Sequence, residues 1–136
     1  MGNIVVDSSV WIDFFNKKTS PQIEIVKNLI IAEPVTTRLT LLPIILQEVL
    51  QGIQNNKHYE VVKENLQGFN HLIYDVYSFA INAADLFRYL QKKGISIRKA
   101  NDCLIASLCI ENDLSLLHKD RDFDNIAKHT SLKIYK

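Results

Sequence analysis

The sequence predicts an α/β fold with three layers, α/β/α, around a central parallel sheet of about four to five strands. Three observations carry this. Short apolar runs without alternation, such as Ile4-Val5-Val6, read as strands buried on both faces. Between them lie segments whose apolar residues recur at three- and four-residue spacing, the signature of amphipathic helices. The two kinds of segment alternate along all 136 residues, with no internal repeat or low-complexity stretch, so residues 1–136 are expected to form one domain.

Taken in order, the first strand is Ile4 to Val6, and it meets Asp7 at once. Ser8 and Ser9 precede Trp11-Ile12-Asp13-Phe14-Phe15, the first turns of a helix. Asn16 to Ser20 is a polar loop, and Pro21 suits a helix start because its fixed φ is helical and its missing N–H is not needed there. Ile23, Val26, Leu29 and Ile30 give that helix its apolar face, and Pro34 ends it. Val35 to Leu39 reads as the second strand and Pro43 to Ile53 as a strongly apolar helix. Tyr59 to Gly68 is a further helix and Leu72-Ile73-Tyr74 the third strand. Phe79 to Lys93 is a long amphipathic helix stopped by Gly94, which accepts the left-handed turn at a helix end. Arg98 to Asn112 is helical and apolar almost all round, hence buried. Leu114 to Leu117 is the fourth strand, Phe123 to His129 a short helix, and Leu132 to Tyr135 an edge strand.

Composition narrows the classes. Hydrophobic residues make up 47% and charged residues 23%, with Lys+Arg 16 against Asp+Glu 15. A net charge of +1 excludes both a strongly basic nucleic-acid tail and an acidic disordered segment, so only the placement of charges can point to a partner. No apolar run approaches the roughly 20 residues a bilayer requires. The N-terminus lacks the pattern of a signal peptide, which makes the cytoplasm the expected compartment. Cys103 and Cys109 point about 120° apart on one helix, so they are expected as buried free thiols rather than a disulfide.

The carboxylates carry the chemistry. In open parallel sheets ligands bind beyond the carboxyl ends of the strands. Asp7 ends the first strand, and Asp120 and Asp122 follow the fourth, so all three belong to one rim. Glu48 shares a helical face with Leu41, Ile44 and Ile45, and Asp102 lies on the buried helix one turn before Ile105 and Ala106. Each acid has an ordinary explanation when taken singly. Asp7 could cap the next helix, Glu48 could pair at the margin with Lys or Arg, Asp102 could be an N-cap, and Asp120 and Asp122 could be turn and cap residues. Together they repel one another unless a cation compensates, and no basic residue is obviously placed among them. A hard divalent cation, Mg²⁺ or Mn²⁺, suits an all-oxygen set, and such ions commonly serve phosphoryl chemistry.

At this point four segments match a known pattern in register: Ile4-Val5-Val6-Asp7-Ser8-Ser9-Val10-Trp11-Ile12-Asp13, Leu46-Gln47-Glu48-Val49-Leu50-Gln51-Gly52, Asn101-Asp102-Cys103-Leu104-Ile105-Ala106-Ser107 and His118-Lys119-Asp120-Arg121-Asp122-Phe123. The chain resembles the PIN-domain ribonucleases, specifically the VapC-type toxins of bacterial and archaeal toxin–antitoxin pairs. The resemblance implies a PIN-like α/β/α domain with Asp7, Glu48, Asp102 and Asp120 as an acidic metal-binding quartet. It makes Asp122 an additional acid and Ser9 the hydroxyl residue that supports Asp7. It also implies Mg²⁺- or Mn²⁺-dependent endonucleolytic cleavage of RNA, a homodimer, and inhibition by a VapB-type antitoxin that places a segment at the acidic site. His118 stands where relatives carry Thr or His, and a strand-end role bonded to backbone is the expectation for it.

A negative site that receives RNA needs cations around it. Lys17, Lys18, Arg38, Arg98, Lys99, Lys119 and Arg121 are the candidates, all in segments expected near the carboxyl rim. Two other readings remain open from the residues. A haloacid-dehalogenase-like phosphatase would want an Asp where Ser9 stands, and a receiver domain would want an acidic pair where Asn3 and Ile4 stand, although Asp75 does follow Tyr74. A non-catalytic binding module with the same fold is the other alternative, and such a module is expected to lose acids that this chain keeps.

Overall fold

The computed structural model describes residues 3–31 and 39–136. Along them run β1 (Ile4–Val6), α1 (Ser8–Phe15), α2 (Pro21–Ile31), β2 (Thr40–Leu41), α3 (Pro43–Gln51), α4 (Asn56–Gln67), β3 (Asn70–His71), α5 (Val76–Lys92), α6 (Asn101–Glu111), β4 (Ser115–Leu117), α7 (Arg121–His129) and β5 (Lys133–Ile134). Every strand pairing is parallel. β1 pairs β4 with Ile4 opposite Ser115 and Val6 opposite Leu117, and β4 pairs β5. β2 pairs β3, and a parallel bridge between Ile4 and Leu39 joins that pair to β1. The order across the sheet is therefore β3-β2-β1-β4-β5.

The central strands explain the layers. Ile4, Val5 and Val6 are all buried although successive side chains point to opposite faces, so both faces of β1 are covered. Helices supply the cover. α1 packs on α2 and α3, and α3 on α4, while α6 packs on α5 and α7. The heart of the core is α6, whose Cys103, Ile105, Ala106, Leu108 and Cys109 are all buried. Gly94 takes φ +80° after α5, and the Ile95 N–H closes back onto the Leu90 carbonyl at 2.9 Å, the left-handed helix stop expected of it.

The structure moves several boundaries. The third strand is Asn70–His71, two residues before the expected Leu72-Ile73-Tyr74. The Leu72 N–H still reaches the Leu41 carbonyl at 3.1 Å, but Asp75 then caps α5 by accepting from Tyr77 and Ser78, which turns the chain out of the sheet. Ile73 is left 93% exposed by this turn. Helices α4, α5 and α7 begin earlier than their apolar residues suggest, because their first turns are defined by caps; Asn55, for example, accepts from the His58 N–H at 2.9 Å. Conversely α6 begins at Asn101, so Arg98 lies in the segment that leads into it. Of the expected strand Val35 to Leu39, only Leu39 is among the described residues, and the ladder continues through Thr40 and Leu41. No described helix is long and apolar enough to cross a membrane.

Candidate active site

The parallel register of β1 and β4 builds the rim. Because Val6 lies opposite Leu117, Asp7 and His118 emerge side by side, and the Asp7 N–H donates to the Leu117 carbonyl at 2.9 Å. Asp7 sits at the N-cap position of α1, yet its carboxylate caps nothing. It accepts instead from the Ser9 hydroxyl at 2.7 Å, the support the sequence resemblance implies for Ser9. Asp102 lies in the first turn of α6 and is not its cap. Asp120 does cap α7, accepting from the Asp122 N–H at 3.0 Å, so its turn role and its place in the cluster coexist.

Asp102, Asp120 and Asp122 each present a carboxylate oxygen within 4.8 Å of the others. Asp102 is 3% exposed, and its Oδ2 is buried without a hydrogen-bond partner. The Glu48 Oε1 on α3 is buried and unpartnered as well, so the expected marginal pairing with Lys or Arg does not satisfy it. Burial, followed by the charge of Asp7 and then those of Asp120 and Glu48, pushes the Asp102 carboxyl up to about 7, with Lys99 acting the other way. All four members of the quartet thus share one electrostatic field. Orphaned acceptors of this kind cost free energy unless something binds them. The oxygens that come within reach of one ion are those of Asp102, Asp120 and Asp122, with Asp7 and Glu48 outside that group. An all-carboxylate set in which Asp102 Oδ2 is unpaired fits a hard divalent cation.

The basic residues correct one expectation, since a cation does stand within the cluster. Arg98 donates from Nη2 to Asp120 Oδ1 at 2.9 Å and from Nε to Asp122 Oδ2 at 3.2 Å, while the Lys99 ammonium is 3.9 Å from Asp120 Oδ2. Partial burial raises the Asp120 carboxyl, but the Asp122 N–H, Arg98 and Lys99 together outweigh it and hold it below its ordinary value. Lys119 is paired to Asp13, as is Lys18 at 3.8 Å. Arg121 is exposed, Lys17 lies in the exposed turn after α1 with φ +58°, and Arg38 lies outside the described residues. Ser9, Arg98, Lys119, Asp120 and Arg121 line an open cleft of about 410 Å³ at the mouth of the site.

Sequence reasoning missed two acids that organise this rim. Asp13 is buried at the foot of α1 and holds Lys119 and Lys18. Asp124 meets His118 Nε2 at 3.1 Å, while the ring's Nδ1 accepts the Asp120 N–H at 2.9 Å. The Nδ1 acceptor fixes the Nε2–H tautomer, so Nε2 donates to Asp124 and the ring splints the turn that carries Asp120. The expected backbone-bonded strand-end role is therefore what His118 shows. Spacing was the available signal, since Asp13 follows Ser9 and Asp124 follows Asp120 by one helical turn. His118→Ala is expected to lower stability by about 1–2 kcal/mol, because it leaves the half-buried Asp120 N–H without its acceptor. Thermal unfolding checks this, and an unchanged midpoint would remove the splint from the account. Cys103 and Cys109 are free and buried, and burial pushes their thiols up to about 11 and about 12.

A parallel α/β sheet with an acidic rim at its strand ends defines the class, and comparison with known proteins narrows it. Residues 4–129 match the PIN domain family. Ribonuclease VapC11 of Mycobacterium tuberculosis is 30% identical over 131 residues, covering 96% of each chain, and a VapC ribonuclease of Mycobacterium bovis matches equally. Among solved structures, DNA-bound VapBC from Salmonella typhimurium superposes with a TM-score of 0.74 at 22% identity, covering 99% of this chain and 98% of that one. VapBC-1 from nontypeable Haemophilus influenzae gives 0.73 at 18% identity, covering 98% and 96%. The chain belongs to the PIN-domain family, alongside the VapC ribonucleases.

Proposed function

We propose that this chain, acting as one PIN domain, is a metal-dependent endoribonuclease toxin that hydrolyses RNA phosphodiester bonds and is neutralised by a VapB-type antitoxin. The observation that carries the reading is the buried, unpartnered Asp102 Oδ2, grouped with the Asp120 and Asp122 carboxylates and in the field of Asp7 and Glu48. Similarity to VapC ribonucleases supports RNA as the substrate, and the VapBC complexes of the same fold support the antitoxin partner. We assign a homodimer and a cytoplasmic site of action on the same family grounds.

Asp7, Glu48, Asp102 and Asp120, with Asp122 beside them, would hold Mg²⁺ or Mn²⁺. Such an ion, when bound, lowers the pKa of water and stabilises charge on a scissile phosphate. The chain's own groups do the rest. Ser9 fixes the Asp7 carboxylate by its hydrogen bond. Asp102 or Asp120 orients the attacking water and takes its proton, as a positioned carboxylate can. Arg98, Lys99, Lys119 and Arg121 bring phosphates to an acidic site that would otherwise repel them. Lys119 also lines a larger neighbouring cleft of about 810 Å³ with Lys128 and Lys136, which extends the cationic path available to a single strand. Arg38 belongs to the same proposed set.

The test is metal dependence with its pH profile. Because cation binding needs ionised Asp102, Mn²⁺ is expected to raise the melting temperature at pH 8, with the rise fading below about pH 6. Cleavage of single-stranded RNA is expected to stop with EDTA and resume with Mn²⁺ or Mg²⁺. A melting curve indifferent to Mn²⁺ at pH 8 would refute the metal site.

A further inference from the structure

We propose that Arg98 is an exchangeable counter-ion. In the metal-free protein its guanidinium holds the Asp120–Asp122 edge of the site, and cation binding releases it toward the RNA phosphate. The inference rests on the metal-dependent reading above and gives that site its internal regulation.

The site is asymmetric. One edge is satisfied: Asp120 Oδ1 and Asp122 Oδ2 accept from the Arg98 guanidinium at 2.9 and 3.2 Å, and the Arg98 backbone N–H approaches the same Asp122 oxygen at 3.4 Å. The other edge is not satisfied, since Asp102 Oδ2 and Glu48 Oε1 are buried without partners. A cation drawn in by the orphaned edge and seated among Asp102, Asp120 and Asp122 takes oxygens from the carboxylates that Arg98 now occupies. Two positive groups on adjoining oxygens repel each other, and the more mobile one gives way.

Arg98 is that mobile group. Its side chain is 62% exposed, against 15% for Asp120 and 6% for Asp122. It precedes α6, so its swing disturbs no helix, and the backbone N–H can stay on Asp122 as the pivot. Its new position is the open cleft it already lines with Ser9, Lys119 and Arg121. A planar guanidinium binds phosphate with the same two-pronged geometry that it uses for a carboxylate.

Calorimetric titration of Mn²⁺ into the full-length chain, into Arg98→Gln and into Arg98→Lys tests the exchange. Arg98→Gln is expected to bind Mn²⁺ roughly three- to tenfold tighter than the unsubstituted chain, the worth of two exposed ion pairs. Arg98→Lys is expected to fall between them, because it keeps the charge and loses the fork. In Mg²⁺ titrations followed by NMR, the Arg98 Nε–H is expected to lose its protection from solvent exchange as the ion binds. In cleavage assays Arg98→Gln is expected to raise KM for RNA. If the unsubstituted chain binds no Mn²⁺, the metal-dependent reading falls and the exchange with it. If it binds Mn²⁺ but Arg98→Gln binds no tighter, the exchange alone is overturned. Arg98→Lys matching the unsubstituted chain would also overturn it, since charge at a distance and not the fork would then be acting. An Nε–H still protected at Mg²⁺ saturation, or an unchanged KM, overturns the release toward phosphate.

Discussion

Asp102→Asn is expected to lower RNA cleavage at least about 100-fold while making the metal-free protein more stable above pH 7. The two effects share one cause. Asp102 is buried among Asp7, Asp120 and Glu48, which disfavours its charged form and places its titration near 7 rather than near 4. Between those values the native state holds a proton that the unfolded chain has released. Stability of the metal-free protein therefore declines as pH rises from about 4 to about 7. Asparagine keeps the size and cannot ionise, so the decline attributable to this residue disappears. At pH 8 the variant is expected to exceed the parent by up to about 4 kcal/mol. Asp7→Asn is expected to abolish cleavage in the same way, since Asp7 is the second-largest influence on Asp102 and holds the Ser9 hydroxyl. Melting curves at pH 5 and 8 with and without Mn²⁺, run beside cleavage assays, decide the matter. Variants that cut RNA at the parental rate would sink the assignment of the acidic site. A metal-free Asp102→Asn protein no more stable at pH 8 would sink the electrostatic account.

The second large effect is expected from Phe123→Ala, a loss of about 3–5 kcal/mol in stability. Phe123 is 1% exposed on α7, one residue after Asp122, and its ring lies 5.3 Å from the His118 ring. Truncation leaves a cavity under the turn that His118 splints and that presents Asp120 and Asp122. For a chain of this length the melting temperature is expected to fall by roughly 10–15 °C. Cleavage is expected to weaken below the transition as well, because the turn loses its floor. Phe123→Leu, which refills most of the volume, is expected to lose less than half as much. Thermal unfolding of both variants checks this, and a loss under about 1 kcal/mol for Phe123→Ala would show that the turn stands without its aromatic floor.

Much of this was legible in the amino-acid order. Ile4-Val5-Val6, the largely apolar α6 and the alternation of strands with helices declared a parallel sheet covered on both faces, because that pattern of burial fits few other architectures. Asp7 and Asp120 were legible as rim residues for the same reason, since strand ends in a parallel sheet share one side. Glu48 stood out as a carboxylate on an apolar helix face, and in the half-buried side chain one oxygen, Oε1, proved to be buried and unpartnered.

What local sequence could not reveal was pairing between distant segments. The third strand slipped to Asn70–His71 because the Asp75 cap turns the chain away, a competition between a cap and a ladder that hydropathy does not register. Arg98 looked like a surface cation and instead grips Asp120 and Asp122, more than twenty residues away. Lys119 looked free and is paired to Asp13 across the rim. Charge count and periodicity determined that acids and cations coexist in this chain, at 15 against 16. Only the tertiary structure decided which of them touch, because an ion pair depends on distances that packing sets, and the packing of β1, β4 and α6 brings one rim together from three separate stretches.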